Sequence, residues 1–379
     1  MSKHELWELQ SMQAAPLSVK ISLTRDRIRQ WVEHYGEDGV YVSFSGGKDS
    51  TVLLRLVREM YPGIPAVFVD VPTQYPELRE FAKTFDNVEI LQPAMSFMQL
   101  CEKYGFPLIS KEVSDRVYFA QKYLRWLGGT QETKRPTDFS LRGFLGIGGA
   151  SIENVPIETL RLALQETDRD KARQILGEGF PADNSRIYDD AVRYKFMALA
   201  PFTISHKCCD ILKKNPLRNY EHDTNRVPMT AQMASESRIR TQKWMLNGCN
   251  GFELKRPISH PMTFWTEQDV LQYIYENQIP ICSVYGNVVT EGEAGQMSLA
   301  DLGLFDKGLP TFRTTGCSRT GCMLCGFGCH LEKGKSRFES LHETHPKMYA
   351  MLDVVKNNGV TMREAIDWMN EHGNLHIRY

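Results

Sequence analysis

Two groups of residues in this chain have the types and spacing that chemistry requires. The first is Ser45-Gly46-Gly47-Lys48-Asp49-Ser50. A glycine pair lets the backbone approach an anion closely, and a helix starting just after it presents unpaired N–H groups and a partial positive charge. Lys48 adds a full positive charge at the same place. The second group is the array Cys317-x4-Cys322-x2-Cys325-x3-Cys329, with an adjacent pair, Cys208 and Cys209, upstream. A two-residue gap brings both sulfurs to one side of a tight turn, so thiolates at this spacing can wrap one metal centre. Zinc and an iron–sulfur cluster both fit the bare spacing. His330 is an outside candidate ligand, whereas Cys101, Cys249 and Cys282 read as small buried hydrophobes.

The elements that must hold the first group can be read around it. Ile28, Trp31, Val32 and Tyr35 share one helical face, and Gly36 follows as a stop. Val40, Val42 and Phe44 then alternate as a strand, and Leu53, Leu56, Val57 and Met60 return to helical spacing beyond Asp49. The order strand, glycine turn, helix is the anion-binding order. It differs from the Walker loop, which needs four residues between its first glycine and Gly-Lys-Ser/Thr, and from the dinucleotide fingerprint. Further strands at Ala66–Val69 and Val88–Leu91, with a helix near Glu77 to Phe85 between them, predict a doubly wound, parallel α/β sheet of Rossmann-like type. Ligands of such sheets sit beyond the carboxyl ends of the strands, where Ser43, Ser45 and Asp70 fall. Asp70 suits a magnesium ion or a ribose hydroxyl, and equally a helix cap or a surface position.

At 379 residues the chain exceeds one ordinary domain, and its 42% hydrophobic and 24% charged residues are those of a globular protein. No apolar run approaches a membrane span, and the N-terminus lacks signal-peptide character, so a cytoplasmic protein with no membrane partner is expected. The net charge of −1 argues against a whole-protein grip on nucleic acid. Between Lys111 and Arg142, basic Lys111, Arg116, Lys122, Arg125, Lys134, Arg135 and Arg142 outnumber acidic Glu112, Asp115, Glu132 and Asp138. The bland reading is a solvated face, the sharper one a nucleic-acid or acidic-substrate surface. Nine cysteines, clustered as described, favour a metal or redox role in a reducing compartment. The expected organisation is residues 1–114 as the first part of the α/β domain, 115–200 as a mostly helical insertion, 201–285 as the rest of that domain, and 286–379 as a cysteine-rich, then helical, C-terminal region.

Ser45-Gly-Gly-Lys-Asp-Ser50 resembles the pyrophosphatase loop of the adenine nucleotide alpha-hydrolase superfamily. Several other segments resemble its phosphoadenosine phosphosulfate (PAPS) reductase-like members, over roughly residues 20 to 112 and 200 to 350. They are Phe68-Val-Asp-Val-Pro-Thr-Gln-Tyr-Pro-Glu77, Tyr104-Gly-Phe-Pro-Leu-Ile-Ser-Lys111, Ile204-Ser-His-Lys-Cys-Cys-Asp-Ile-Leu-Lys213, Ala234-Ser-Glu-Ser-Arg-Ile-Arg240 and Pro257-Ile-Ser-His-Pro-Met-Thr-Phe-Trp-Thr266. In the last, Thr266 is expected to cap a helix that buries Val270, Leu271 and Ile274. In character the chain is closest to iron–sulfur members such as the DNA phosphorothioation C protein. The resemblance implies a nucleotide site of Ser43, Ser45, Gly46, Gly47, Lys48, Asp49, Ser50, Asp70, Lys111, Glu236 and Arg238, with Lys48, Asp49 and Arg240 acting in catalysis. With the double cysteine it favours a 4Fe-4S cluster over zinc, with ligands drawn from Cys208, Cys209, Cys317, Cys322 and Cys325, and Cys329 in reserve.

Two departures from the reductase pattern shape the expected chemistry. Reductases carry a cysteine near the C-terminus, whereas no cysteine follows Cys329 here, and their phosphate loop is usually altered, whereas here it is intact. The expected reaction is therefore ATP-dependent adenylylation of an acceptor, with magnesium, pyrophosphate release and cluster-assisted sulfur insertion. The acceptor could be DNA or tRNA, the sulfur donor a cysteine desulfurase, and the assembly a homo-oligomer. A PAPS or adenylyl sulfate reductase is the rival in the same superfamily, and a non-catalytic nucleotide and cluster sensor the rival of another class.

Overall fold

The computed structural model describes residues 3–129, 134–183, 193–290 and 310–379. The chain forms two compact units, each built from two stretches: 1–93 with 213–321, and 94–212 with 322–379. The expected boundary at 114/115 falls inside a single helix, Lys111–Leu127. The C-terminal region also divides at residue 321, because Cys317 folds with the first unit and Cys322, Cys325 and Cys329 with the second.

The strands in chain order are β1 (Val40–Ser43), β2 (Ala66–Val69), β3 (Val88–Leu91), β4 (Leu108–Ile109), β5 (Val227–Met229), β6 (Asn250–Gly251) and β7 (Ile258–Ser259). In the first unit six of them form a sheet in the order β3-β2-β1-β5-β7-β6. Every pairing is parallel except β6 with β7. The register is set by pairs such as Val42 with Ala66 and Val40 with Val227. Val40, Val42, Ala66 and Phe68 are fully buried, as strands covered on both faces require. The mixed α/β class with a mainly parallel central sheet is therefore the one read from the sequence.

Three helices place this sheet's apolar cover. Leu17–Tyr35 buries Ile28, Trp31 and Val32 and ends at Gly36, whose φ of 77° suits glycine. Lys48–Met60 buries Leu53, Leu56 and Val57. Glu267–Glu276 is capped by Thr266, which accepts the Asp269 N–H, and buries Val270, Leu271 and Ile274 as expected.

In the second unit the helices Phe97–Tyr104, Lys111–Leu127, Phe139–Leu145, Ile157–Gln165 and Arg169–Leu176 precede the double cysteine. After the array come Arg337–Thr344, two short turns and a final helix, Met362–Gly373. The buried Asn357 fastens this tail to the earlier stretch: its amide donates to the Cys101 carbonyl and its oxygen accepts the Thr203 N–H. Of the charges between 111 and 142, Arg116 pairs with Glu112 and Arg135 with Glu153. Arg142 departs from the solvated reading: it is buried and donates to the carbonyls of Gly149 and Ala150. Glu132 lies outside the described residues. Among the described residues no helix is long and apolar enough to cross a membrane.

Candidate functional site

The phosphate loop closes on its own hydroxyls. The Ser45 N–H donates to Ser50 Oγ at 3.2 Å, the Gly47 N–H donates to Ser45 Oγ at 3.3 Å, and Ser50 Oγ donates to the Gly47 carbonyl at 2.9 Å. Gly46 turns the chain at φ 72°, and a Cβ there would stand 3.1 Å from the Leu78 carbonyl. Strain and crowding thus both demand glycine at 46. The helix Lys48–Met60 starts immediately after Gly47, so its first N–H groups face the loop beyond the carboxyl end of β1. Ser43 is the last residue of that strand.

Lys48 is only 3% exposed. Its amine donates to the Ser318 carbonyl at 2.9 Å, lies 2.9 Å from Glu267 Oε1, and stands 5.7 Å from the centre of the Tyr285 ring. Asp49 borders the same cleft, of about 150 Å³, with Glu236, Glu267 and Arg319. Burial holds the Asp49 carboxyl above its usual range; Lys48, Arg319 and Arg240 oppose the shift and Glu267 adds to it. One Asp49 carboxylate oxygen is buried without a hydrogen-bond partner, which leaves acceptor capacity pointing at no protein group. Glu236 pairs with Arg240, accepts the Met233 N–H at 3.0 Å and lies 3.2 Å from Arg319. Burial, then Arg319, pushes the Arg240 guanidinium below its ordinary value. Burial likewise pushes the Tyr285 phenol up to about 12, and its hydroxyl is 2.7 Å from Thr320 Oγ1.

Lys48, Asp49, Glu236 and Arg240 are therefore brought together. Arg238 is exposed at the start of the helix Arg238–Asn247. Asp70 is engaged elsewhere in the unit, 3.1 Å from Arg79 and accepting from Gln92 at 2.9 Å. Lys111 belongs to the second unit, 3.6 Å from Asp210. Glu267, Tyr285, Ser318, Arg319 and Thr320 complete the cleft without having been singled out in the sequence. Glu267 had one available signal, its place directly after the Thr266 cap. Larger hollows, of about 500 Å³ beside Trp7, Arg27 and Trp244 and of about 590 Å³ beside Gln121, Arg125 and Arg161, contain no phosphate-loop residue.

The thiols of the second unit are assembled by one extended segment. Phe106 bridges to Ile204, and β4 pairs in parallel with β8 (Gly326–Phe327). The same four residues thus align the chain entering Cys208–Cys209 and the chain leaving Cys322–Cys325. Glycine is needed on both sides: a Cβ on Gly105 would lie 2.2 Å from the Thr203 carbonyl, and one on Gly326 would lie 2.6 Å from the Pro107 carbonyl. Ile109, β-branched and buried, is held at φ 65°, a strained conformation at the centre of this arrangement.

Cys208 Sγ and Cys209 Sγ are 3.9 Å apart. The Cys209 contact, burial and the nearby Cys325 and Cys322 hold the Cys208 thiol well above its usual range. Burial, with Cys322 and Cys209, pushes Cys325 to about 11, while Arg337 opposes the shift and donates to the Cys325 carbonyl. Four thiols thus feel one another electrostatically. Cys329 is buried, its thiol donating to the Gly326 carbonyl at 2.9 Å, and burial pushes it to about 12. Cys317 belongs to the first unit, where its thiol donates to the Arg319 carbonyl. Among the described residues no three His, Cys, Asp or Glu side chains are arranged around one metal-ion position.

The model of the phosphoadenosine phosphosulfate reductase domain matches residues 39–114 and 159–326, more than half of the chain. The chain belongs to that family. The match spans the strands of the first unit and ends at Gly326 inside the thiol-bearing segment. Among solved structures, the crystal structure of PAPS reductase from Candida auris in its phosphate complex is similar at 13% identity and a TM-score of 0.34, covering 75% of this chain and 87% of that one. A likeness of that size adds no weight to the family match. No curated protein sequence matches the chain.

Proposed function

We propose that this family member is a cytoplasmic ATP pyrophosphatase that adenylylates an acceptor and supports sulfur transfer through a 4Fe-4S cluster, close in character to the DNA phosphorothioation C protein. The observation that carries the reading is Lys48, buried at the mouth of an intact glycine turn and helix N-terminus. Those N–H groups and the lysine stabilise charge on a triphosphate chain, which is most of what phosphoryl-group chemistry asks of a protein. An acceptor oxygen attacks the α-phosphorus, the bond to the bridging oxygen breaks, and pyrophosphate leaves. A persulfide sulfur from the donor then attacks the activated centre, AMP leaves with the oxygen, and a thiol reductant supplies two electrons to break the S–S bond to the carrier. Asp49, with its unpartnered oxygen in the cleft, is the group to hold magnesium. Cys208, Cys209, Cys322 and Cys325 are the thiolates to hold the cluster, which when bound supplies a sulfur- and electron-handling centre. DNA or tRNA is the acceptor class, and a cysteine desulfurase the donor.

The family match favours one second reading, reduction of PAPS or adenylyl sulfate. Anaerobically purified protein separates the two when pyrophosphate and sulfite are followed together. Pyrophosphate from ATP, with no sulfite from adenylyl sulfates in the presence of thioredoxin or glutaredoxin, is the expected result. Sulfite formation through a cysteine-bound intermediate would sink the ATP reading, and tight ATP binding without turnover would leave a sensor.

A further inference from the structure

The cations bordering the cleft are already paired. Lys48 is shared by Glu267 and the Ser318 carbonyl, and Glu236 takes both Arg240 and Arg319. A polyanion therefore gains cations here only by exchange with groups of the protein itself. Arg319 is the easiest to exchange, because its side chain is 63% exposed and an exposed ion pair contributes little.

The position of Arg319 is fixed on both sides, by backbone hydrogen bonds upstream and by a side-chain contact downstream. Upstream, the N–H groups of Thr315, Gly316 and Cys317 donate to the carbonyls of Asn287, Tyr285 and Val284 at 2.9, 2.9 and 2.8 Å. The approach is close enough that a Cβ on Gly316 would meet the Val284 carbonyl at 2.5 Å. Downstream, Thr320 is held by the Tyr285 hydroxyl. Ser318 and Arg319 are left between these anchors, one presenting its carbonyl to Lys48 and the other its guanidinium to Glu236.

Resting on the ATP reading above, we propose that Arg319 is a binding residue for the triphosphate chain, held on Glu236 until nucleotide arrives. Glu236 is then the competing carboxylate, and the Ser318 carbonyl and Glu267 are the groups that release Lys48 in the same exchange. A guanidinium suits the task because its planar fork matches two phosphate oxygens at once.

Calorimetry with magnesium–ATP, and separately with pyrophosphate, tests the assignment on the full anaerobic protein. Arg319→Ala should weaken both ligands roughly ten- to a hundredfold, the scale of a lost hydrogen bond to a charged group, and leave the thermal midpoint of the free protein in place. Arg319→Lys should recover only part of the loss. Glu236→Gln, which keeps an acceptor for the Met233 N–H, should tighten binding in the parent and give no gain when combined with Arg319→Ala. If the parent binds neither ligand, the phosphate-loop reading and this assignment fall together. If the parent binds and Arg319→Ala binds equally well, or Glu236→Gln helps regardless of Arg319, only this assignment falls.

Discussion

The phosphate cleft of the first unit and the thiol group of the second solve opposite electrostatic problems. In the cleft, charges of both signs sit side by side: Lys48 with Glu267, and Glu236 with Arg240 and Arg319. On the proposed function, a ligand enters it by exchange. In the thiol group, burial and the neighbouring thiols raise Cys208 and Cys325, while Arg337 opposes the shift at Cys325. On the proposed function, the metal centre supplies the positive charge that favours the anionic form of these thiols. One site is then, on that same reading, complete without its ligand and the other is completed by it.

The largest expected effect breaks that contrast on the thiol side. Cys208→Ser and Cys325→Ser should each abolish the stoichiometric iron and acid-labile sulfide of anaerobically prepared protein, while Cys317→Ser, in the other unit, should leave both in place. Elemental analysis and the visible absorption of the cluster read the result. Iron retained in Cys325→Ser and lost in Cys317→Ser would reverse the ligand assignment, and stoichiometric zinc without iron would replace the cluster by a structural site. Next in size is Lys48→Ala, which should lower ATP turnover roughly a hundred- to a thousandfold, the scale of one lost donor to developing charge. The iron content should not move. Steady-state pyrophosphate release gives the number, and a parent-like rate would remove Lys48 from the reaction.

The same contrast explains what could be read before the fold was seen. The phosphate loop is contiguous, its strand and helix flank it, and each makes a local demand: alternation before Ser45, glycine at 46, helical spacing after Asp49. The family segments supplied Glu236 and Arg240. Glu267 and Arg319 escaped because their partnership with Lys48 and Glu236 depends on how β7, its following helix and the Thr315–Thr320 stretch pack, which no local spacing encodes. For the thiols, residue type was legible and grouping was not. Cys317 and Cys322 look like one motif in the sequence, yet the chain passes from one unit to the other just before Cys322. The strand that brings Cys208–Cys209 and Cys322–Cys325 into register, Phe106–Ile109, contains no chemical group that announces the role. Arg142 shows the reverse error, since its charge suggested solvent but it meets the carbonyls of Gly149 and Ala150.

The smallest expected effect concerns the first unit alone. His260 follows β7, beyond the carboxyl end where the sheet gathers its ligand groups, and its Nδ1 lies 2.6 Å from Thr230 Oγ1. Burial, then the charges of Lys243, Arg240 and Arg256, pushes the imidazole down to about 4. The folded protein thus keeps this ring neutral at pH values where the unfolded chain, titrating near 6.5, takes up a proton. Stability must therefore fall as pH drops from about 6.5 to about 4, by at most about 1.4 kcal/mol per pH unit from this group, and His260 adds nothing further below that window. His260→Asn keeps a partner for Thr230 and removes the titration. Urea unfolding of the variant should show a shallower decline across that interval and the parent's dependence above pH 7. If the two profiles coincide between pH 4 and 6.5, the imidazole takes up its proton in the folded state as readily as in the unfolded one. In that case Thr230 and the three neighbouring cations would have to accommodate a fourth positive charge.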